Sequence, residues 1–371
     1  MILLTLILIV TLAYVGLIVA FTFGLRKVLK QELKGTKQLM PISVIVAFKD
    51  EALNLPTLLN VMMHQSFPKE KFELILVNDH SSDGSISIVE HYRSMCDNLR
   101  LVNLPENRSG KKSAIACGID SAINPLIAIT DADCEPSKDW LRAISLEARS
   151  GSVLILGPVI MAPVNSISKK LQAIEYSSLM ASAAGSCGIG HPVIASSANL
   201  AFRNDLLNVS EDNLNPKVTS GDDMFLLHYV KSLHKSRISF LGNRAAIVKT
   251  STMSTLPQAI IQRKRWASKS IFYSDVDTII TGFIVLLFNM ALVFLMVSSV
   301  LRMENLYYFF MFIMIKSFVD FHLLHRYLSF VEQKELLKVF LPLQLVYPIY
   351  IVYAFFTGII NKVSWKGRPI N

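Results

Sequence analysis

Carboxylates recur in this 371-residue chain where short apolar runs end. Asp131-Ala132-Asp133 closes Leu126–Thr130, Asn78-Asp79-His80-Ser81-Ser82-Asp83-Gly84 follows Leu74–Val77, and Lys49-Asp50-Glu51 follows Ile42–Ala47. Alternate residues beyond a strand can aim two carboxylates around one cation, and hard oxygen ligands suit Mg²⁺ or Mn²⁺. Such an ion would neutralise a diphosphate as it departs, acting as a Lewis acid. An Asp-x-Asp alone arises often by chance, and a single acidic loop is ordinary solvated surface. Three acidic strand ends at one sheet edge are different, because like charges gathered there repel unless a cation or hydrogen-bond donors compensate.

Three further clusters carry two readings each. Arg108-Ser109-Gly110-Lys111-Lys112 opens a helical stretch and is either a basic turn or a helix N-terminus facing a phosphate or sugar. Ser220-Gly221-Asp222-Asp223-Met224-Phe225-Leu226 begins another, where acidic residues commonly cap a helix and complement its dipole. The sharper alternative is a general base that takes the proton of an attacking hydroxyl. Gln262-Arg263-Lys264-Arg265-Trp266 is either a basic interfacial segment with an aromatic anchor, or arginines for a diphosphate beside a ring that platforms a sugar.

These residues need a scaffold that brings distant segments together. The runs Ile42–Ala47, Leu74–Val77, Leu99–Asn103 and Leu126–Thr130 have the unbroken apolar composition of strands covered on both faces. Leu53–Gln65, Ser85–Arg93 and Lys111–Ser121 read as the intervening helices. This βαβα alternation predicts an α/β, doubly wound, Rossmann-like sheet with ligands at the carboxyl ends of its strands.

A mean hydropathy of +0.43 is high for a soluble chain, and the apolar residues concentrate at the two ends. Ile2–Leu25 carries no charge and is long enough to span a bilayer, as is Thr278–Leu301; Leu306–Leu328 and Leu337–Ile360 are less perfect candidates. Lys316 and Asp320, four apart, can pair on one helical face, either to gate a function or, the favoured reading, to neutralise each other. The expected organisation is an N-terminal anchor over 1–25, a catalytic domain over 41–270, two or three membrane helices over 278–360 and a basic tail over 361–371. Arg26, Lys27, Lys30, Lys34 and Lys37 follow the first span, which places the catalytic domain on the cytoplasmic side and draws it to anionic lipid headgroups. Four spans would leave the C-terminus outside, whereas Lys362, Lys366 and Arg368 favour the inside, so the number of C-terminal spans stays open. This placement accounts for much of the net charge of +9, and no basic stripe interleaved with aromatics argues for a nucleic-acid partner. Cys96, Cys117, Cys134 and Cys187 lack metal spacing and fit free thiols in a reducing compartment.

The order of motifs resembles the inverting nucleotide-sugar glycosyltransferases of family 2, with a GT-A fold, and especially the membrane-attached branch of cellulose synthases, hyaluronan synthases and lipid glycosyltransferases. The likeness runs over about residues 41–270, carried by Asp79 with Asp83, Asp131-Ala132-Asp133, Asp222-Asp223 and Gln262-x-x-Arg265-Trp266, with a weaker echo at Trp365-Lys366-Gly367-Arg368. The resemblance implies that Ala47 and Glu51 line the nucleoside pocket, Asp79 binds the base, and Lys111 touches the donor phosphates. It implies that Asp131 contacts the donor and, with Asp133, the metal; that Asp223 is the catalytic base; and that Arg263 and Arg265 hold the diphosphate. Asn199, within Ser197-Ala198-Asn199-Leu200-Ala201-Phe202-Arg203, would face the acceptor together with Asp222, Gln262 and Trp266. The implied reaction moves a sugar, from a UDP-sugar, to a lipid, lipid-linked or glycan acceptor with Mg²⁺ or Mn²⁺ as cofactor. Asn78 and His80 depart from a frequent Asp and Gly, and only Glu51 of the first motif carries over. A processive polysaccharide synthase is the nearest alternative; a nucleotidyltransferase would want a glycine-rich loop, which Phe48–Asn54 lacks, and a scaffold would leave the carboxylates unexplained.

Overall fold

The computed structural model describes residues 2–31, 38–215, 218, 220–360, 364–365 and 368–369. Lys34 and Lys37 lie outside the described residues, as does the 361–371 tail apart from the backbone of those last two pairs. In chain order the elements begin with α1 (Ile2–Leu29), β1 (Ile42–Phe48), α2 (Leu55–Met63), β2 (Phe72–Asn78), α3 (Ser85–Arg93), β3 (Leu99–Asn103) and α4 (Lys111–Ser121). There follow β4 (Leu126–Ile129), β5 (Cys134–Pro136), α5 (Trp140–Arg149), β6 (Leu154–Leu156), β7 (Val159–Ala162), α6 (Ile167–Gly188), β8 (Leu200–Arg203) and the short α7 (Asn204–Leu207). The chain continues through α8 (Asp222–His234), β9 (Ile238–Phe240), β10 (Val248–Ser251), α9 (Leu256–Ser268), α10 (Val276–Ser298), α11 (Glu304–Phe330) and α12 (Phe340–Ile360). The expected strands and helices are all present, with ends that differ by a few residues. The 41–270 span is not one body, however. The chain forms two compact units, one of Val28–Ala162 with Ile194–Ser251, the other of Met1–Lys27, Pro163–Val193 and Thr252–Asn371.

The first is the sheet unit. Its main sheet has the order β3-β2-β1-β4-β8-β6-β9. The first four strands are parallel, β8 is antiparallel to both β4 and β6, and β9 runs parallel to β6. A second sheet, β5-β10-β7, lies in the same unit. All seven residues of β2 are buried, and Ile42, Val44, Ile45 and Val46 of β1 are wholly inaccessible, as the unbroken apolar run requires of a strand covered on both faces. Trp140 and Phe202 are among the largest side chains sealed inside.

The second is the helical unit. Among the described residues, four helices are long and apolar enough to cross a membrane: Ile2–Leu29, Val276–Ser298, Glu304–Phe330 and Lys334–Ile359. Gly24 of α1 lies so near α6 that a Cβ there would stand 1.9 Å from the Gly185 carbonyl oxygen, so the absent side chain sets the approach of the two backbones. The expected Lys316–Asp320 pair is present, with Lys316 buried and Asp320 partly so. Lys316 Nζ donates to Asp320 Oδ2 at 2.6 Å and to Gln344 Oε1 at 2.7 Å, while Tyr14 Oη donates to Asp320 Oδ1 at 2.7 Å. Charges in an apolar bundle are tolerated when paired in this way, and the network ties α1, α11 and α12 together.

Candidate active site

The strand order reverses between β1 and β4, which opens a crevice at their carboxyl ends. Register aligns the residues there. Phe48 stands beside Asn78 and Asn78 beside Asn103, while Ile45 pairs with Ile129, so Ala47 and Asp131 each lie two residues beyond that last pair. The loops after β1 and β2 are clasped to each other. Asp50 Oδ1 accepts from the Ser82 N–H at 2.7 Å, Ser81 Oγ accepts from the Asp50 N–H, Ser85 Oγ from the Glu51 N–H, and Asp83 accepts from the N–H groups of Ala52 and Ser85. The Ser82 N–H holds the Asp50 carboxyl below its usual range, and hydrogen bonds from Ser85 do the same for Asp83. Asp83, an element of the Asp79/Asp83 motif, is thus engaged in fastening the loops. Asp50 and His80 both have left-handed backbones, φ 52° and 56°, and His80 Nε2 contacts the Arg108 carbonyl. A glycine at position 80 would meet that conformation without strain. Asp79 is buried, and its Oδ2 accepts from the Gly110 N–H at 3.1 Å.

Lys111 is the hub of the carboxylates. Gly110 (φ 98°) and Gly221 (φ 88°) precede α4 and α8 in conformations that a Cβ would strain, and each turn delivers a charged residue to the first helical position, Lys111 or Asp222. Lys111 Nζ donates to Asp131 Oδ1 at 2.5 Å and Ser197 Oγ at 2.8 Å, and lies 4.0 Å from Asp222 Oδ2. The Ser197 N–H in turn donates to Asp223 Oδ2 at 3.4 Å. Burial draws the Lys111 ammonium down, but Asp131, Asp222 and Asp223 outweigh it and hold it above its ordinary range. Residues from β4, α4, α8 and the segment before β8 are therefore gathered within one electrostatic group.

Asp133 stands beside this group. Burial first, then the carboxylates of Asp131 and Glu51, push its pKa up to about 6. Oxygens of Asp131 and Asp133 and the Cys134 sulfur all lie within 4.8 Å of one another. Two half-buried carboxylates that repel each other suit a hard divalent cation. The Cys134 thiol does not: it is buried, burial raises its pKa, and Sγ lies 3.8 Å from Asp133 Oδ1. Thr250 Oγ1 donates to Asp133 Oδ2 at 3.3 Å and steadies it from β10.

Asn199 is elsewhere in role from the expectation. It is 2% exposed, its Oδ1 accepts from Trp140 Nε1 at 2.9 Å, and its Nδ2 donates to the carbonyls of Pro158 at 2.9 Å and Ala246 at 2.7 Å. Its amide is committed to the core and is not placed to meet an acceptor.

Gln262, Arg263, Arg265 and Trp266 belong to the helical unit, on α9, whose start is fixed by a Thr255/Gln258 capping box. Arg263 is buried, and its Nε donates to Glu175 Oε2 at 2.8 Å. Its Nη1 and Nη2 make no hydrogen bond among the described residues. The guanidinium carbon stands 4.0 Å from the Trp266 ring centroid, so one face of that ring is covered. Gln262, Arg265 and Trp266 are partly accessible.

A family model for glycosyl transferase family group 2 matches residues 126–357, more than half of the chain, and a glycosyl transferase family 2 model matches residues 43–207. The chain is a family 2 glycosyltransferase. Its sheet unit carries the GT-A fold. The AglE glycosyltransferase of Haloferax volcanii is 32% identical over 125 residues, 33% of this glycosyltransferase and 41% of AglE. An undecaprenyl-phosphate 4-deoxy-4-formamido-L-arabinose transferase of Proteus mirabilis is 30% identical over 111 residues, 30% of this chain and 34% of the relative. The matched stretch is thus under half of the length of each relative. The mannosyltransferase PcManGT from Pyrobaculum calidifontis, solved with GDP-Man and Mn²⁺, is similar in fold, with a TM-score of 0.57 over 92% of this chain and 99% of that chain at 16% identity. Two contacts of this glycosyltransferase's site escape sequence reasoning. Ser197 lies 86 positions from Lys111 and Thr250 117 positions from Asp133, and neither hydroxyl stands in a spacing that announces a partner.

Proposed function

We propose that this glycosyltransferase is held in a membrane and transfers one sugar, with inversion, from a UDP-sugar to a lipid or lipid-linked acceptor at the cytoplasmic face. The observation that carries the reading is the meeting of Asp131, Asp222 and Asp223 around Lys111, with Asp133 alongside. Ala47, Glu51 and Asp79 receive the nucleoside at the ends of β1 and β2. Lys111 meets the donor phosphates; within the helical unit, Arg263, whose Nη groups make no hydrogen bond among the described residues, and Arg265 are candidate anion donors. Asp222 of the sheet unit is a candidate acceptor contact, as are Gln262 and Trp266 of the helical unit. Asp131 and Asp133 would hold Mn²⁺ or Mg²⁺, which when bound supplies Lewis-acid neutralisation of the diphosphate. Asp223 takes the proton of the acceptor hydroxyl as its oxygen attacks the anomeric carbon. The bond from that carbon to the diphosphate oxygen breaks, and its electron pair leaves with the nucleoside diphosphate. The four apolar helices, and the undecaprenyl-phosphate in the name of the Proteus mirabilis relative, favour a lipid acceptor.

Asp223→Asn tests this directly. Thermal shift by UDP-sugars with Mn²⁺ should persist, while transfer falls by about 10²–10⁴-fold, the range expected for loss of a general base. Transfer at near wild-type rate would overturn the assignment. Chromatography of the product should show a single added sugar.

A further inference from the structure

We infer that Lys112 and Glu211 are positioning residues that fix the first turn of α8, and with it Asp223, against the first turn of α4; this rests on the reading of Asp223 as base. Lys111 and Lys112 are adjacent on α4 but serve different neighbours. Lys112 is buried, at 4% exposure. Its Nζ donates to the Asn215 carbonyl at 2.9 Å and stands 4.4 Å from the centroid of the Phe225 ring. Phe225 is in the first turn of α8, and its N–H donates to the Gly221 carbonyl at 3.0 Å. Lys112 thus touches the segment leading to α8 and the turn that bears Asp222 and Asp223.

Glu211 fastens the other end of that segment. It accepts from Arg108 Nη2 at 2.7 Å and from the Ser113 hydroxyl, and Arg108 Nη2 also approaches the Ser113 carbonyl at 3.3 Å. The turn Glu211–Leu214 is itself closed by a reciprocal Ser210/Asn213 capping box. Arg108, Lys112 and Ser113 all flank Lys111, so the strip that orients Lys111 also holds Glu211, the Asn215 carbonyl and the Phe225 ring in the first turn of α8. Burying an ammonium is costly where a methionine would fill the same space, and a partly exposed ion pair such as Arg108–Glu211 adds little stability. Their joint effect is geometric: they set the distance between the lysine that meets the donor and the carboxylate that deprotonates the acceptor. Misplacement of a reacting group by about 1 Å can lower a rate by about 10²-fold.

The experiment uses the full chain in detergent with a responsive UDP-sugar, Mn²⁺ and acceptor, with rates normalised to folded protein. Lys112→Met should lower kcat at least tenfold while donor KM and the Mn²⁺/UDP thermal shift stay within twofold. Lys112→Arg, which keeps a cation for the Asn215 carbonyl and the Phe225 ring, should recover part of the loss. Glu211→Gln, a near-isosteric change at a partly exposed site, should show the same split to a smaller degree and decides the matter if Lys112→Met does not fold. Wild-type kcat in Glu211→Gln and Lys112→Met, or a loss confined to donor KM, overturns the positioning role while an inactive Asp223→Asn leaves the base in place. An active Asp223→Asn overturns both.

Discussion

Replacing Asn199 with Ala separates a core anchor from an acceptor ligand. The substitution removes three hydrogen bonds at once and strands Trp140 Nε1 and the Ala246 carbonyl, while the Pro158 carbonyl keeps the Val248 N–H at 3.0 Å. Trp140 is wholly buried and Asn199 nearly so, and an orphaned buried polar group costs about 1–3 kcal/mol. Two such groups, with partial relief by water entering the vacated space, cost roughly 2–5 kcal/mol, against a total stability of about 5–15 kcal/mol for a typical domain. At about 2–4 °C per kcal/mol for a domain of this size, the expected fall in melting temperature is on the order of 10 °C. Thermal melts of the detergent-solubilised chain measure it, with transfer rate per folded molecule as the companion readout. Asn199→Asp should fare no better, because a carboxylate would face the two carbonyls that now accept from Nδ2. The reasoning fails if Asn199→Ala melts within about 2 °C of the parent while the acceptor KM rises tenfold, since that pattern belongs to a side chain that touches acceptor.

Two other predictions follow from the charged groups. Because the Asp133 carboxyl is raised to about 6 from an unfolded value near ~3.9, the metal-free protein loses stability as pH rises through that window, and a proton competes with a cation below it. Melting-temperature gain on adding Mn²⁺ should therefore grow from pH 5 to pH 7, and a gain independent of pH would refute Asp133 as a ligand. Lys316→Met, which leaves the partly buried Asp320 with Tyr14 and Gln344 but no cation, should cost about 1–3 kcal/mol, and pairing it with Asp320→Asn should restore much of that in the same melt; an unchanged single variant would show the pair to be idle.

The strands were legible because burial on both faces demands uninterrupted apolar runs, and Ile42–Phe48 and Phe72–Asn78 meet that demand without a break. The acidic residues after them were legible as a group because register in a parallel sheet leaves strand ends side by side. Asn199 misled for the opposite reason. A buried asparagine saturated by an indole and two carbonyls has the same one-letter context as one that points into a cleft, and only the positions of Trp140, Pro158 and Ala246 distinguish them. The division into two units was equally hidden. Helix α6 is interposed between β7 and β8 of the sheet unit yet belongs to the helical unit, and its apolar content is no different in kind from that of a helix covering the sheet.

The charge balance at the sheet edge explains why cation and donor should act together. Lys111 is the hub, yet Glu51, Asp131, Asp222 and Asp223 bring negative charge to the same group, and Asp133 joins them above about pH 6. One ammonium does not neutralise that set. A nucleoside diphosphate approaching alone meets like charge at short range in a partly desolvated crevice, where screening by salt is weak. A divalent ion held by Asp131 and Asp133 would reduce the local excess of negative charge, leaving further oxygen ligands to be supplied by a diphosphate, since the Cys134 thiol is unsuited to a hard cation. On the proposed site assignment a bare diphosphate would bind less well than one that brings its metal, and the thermal shift by UDP with and without Mn²⁺ measures that difference.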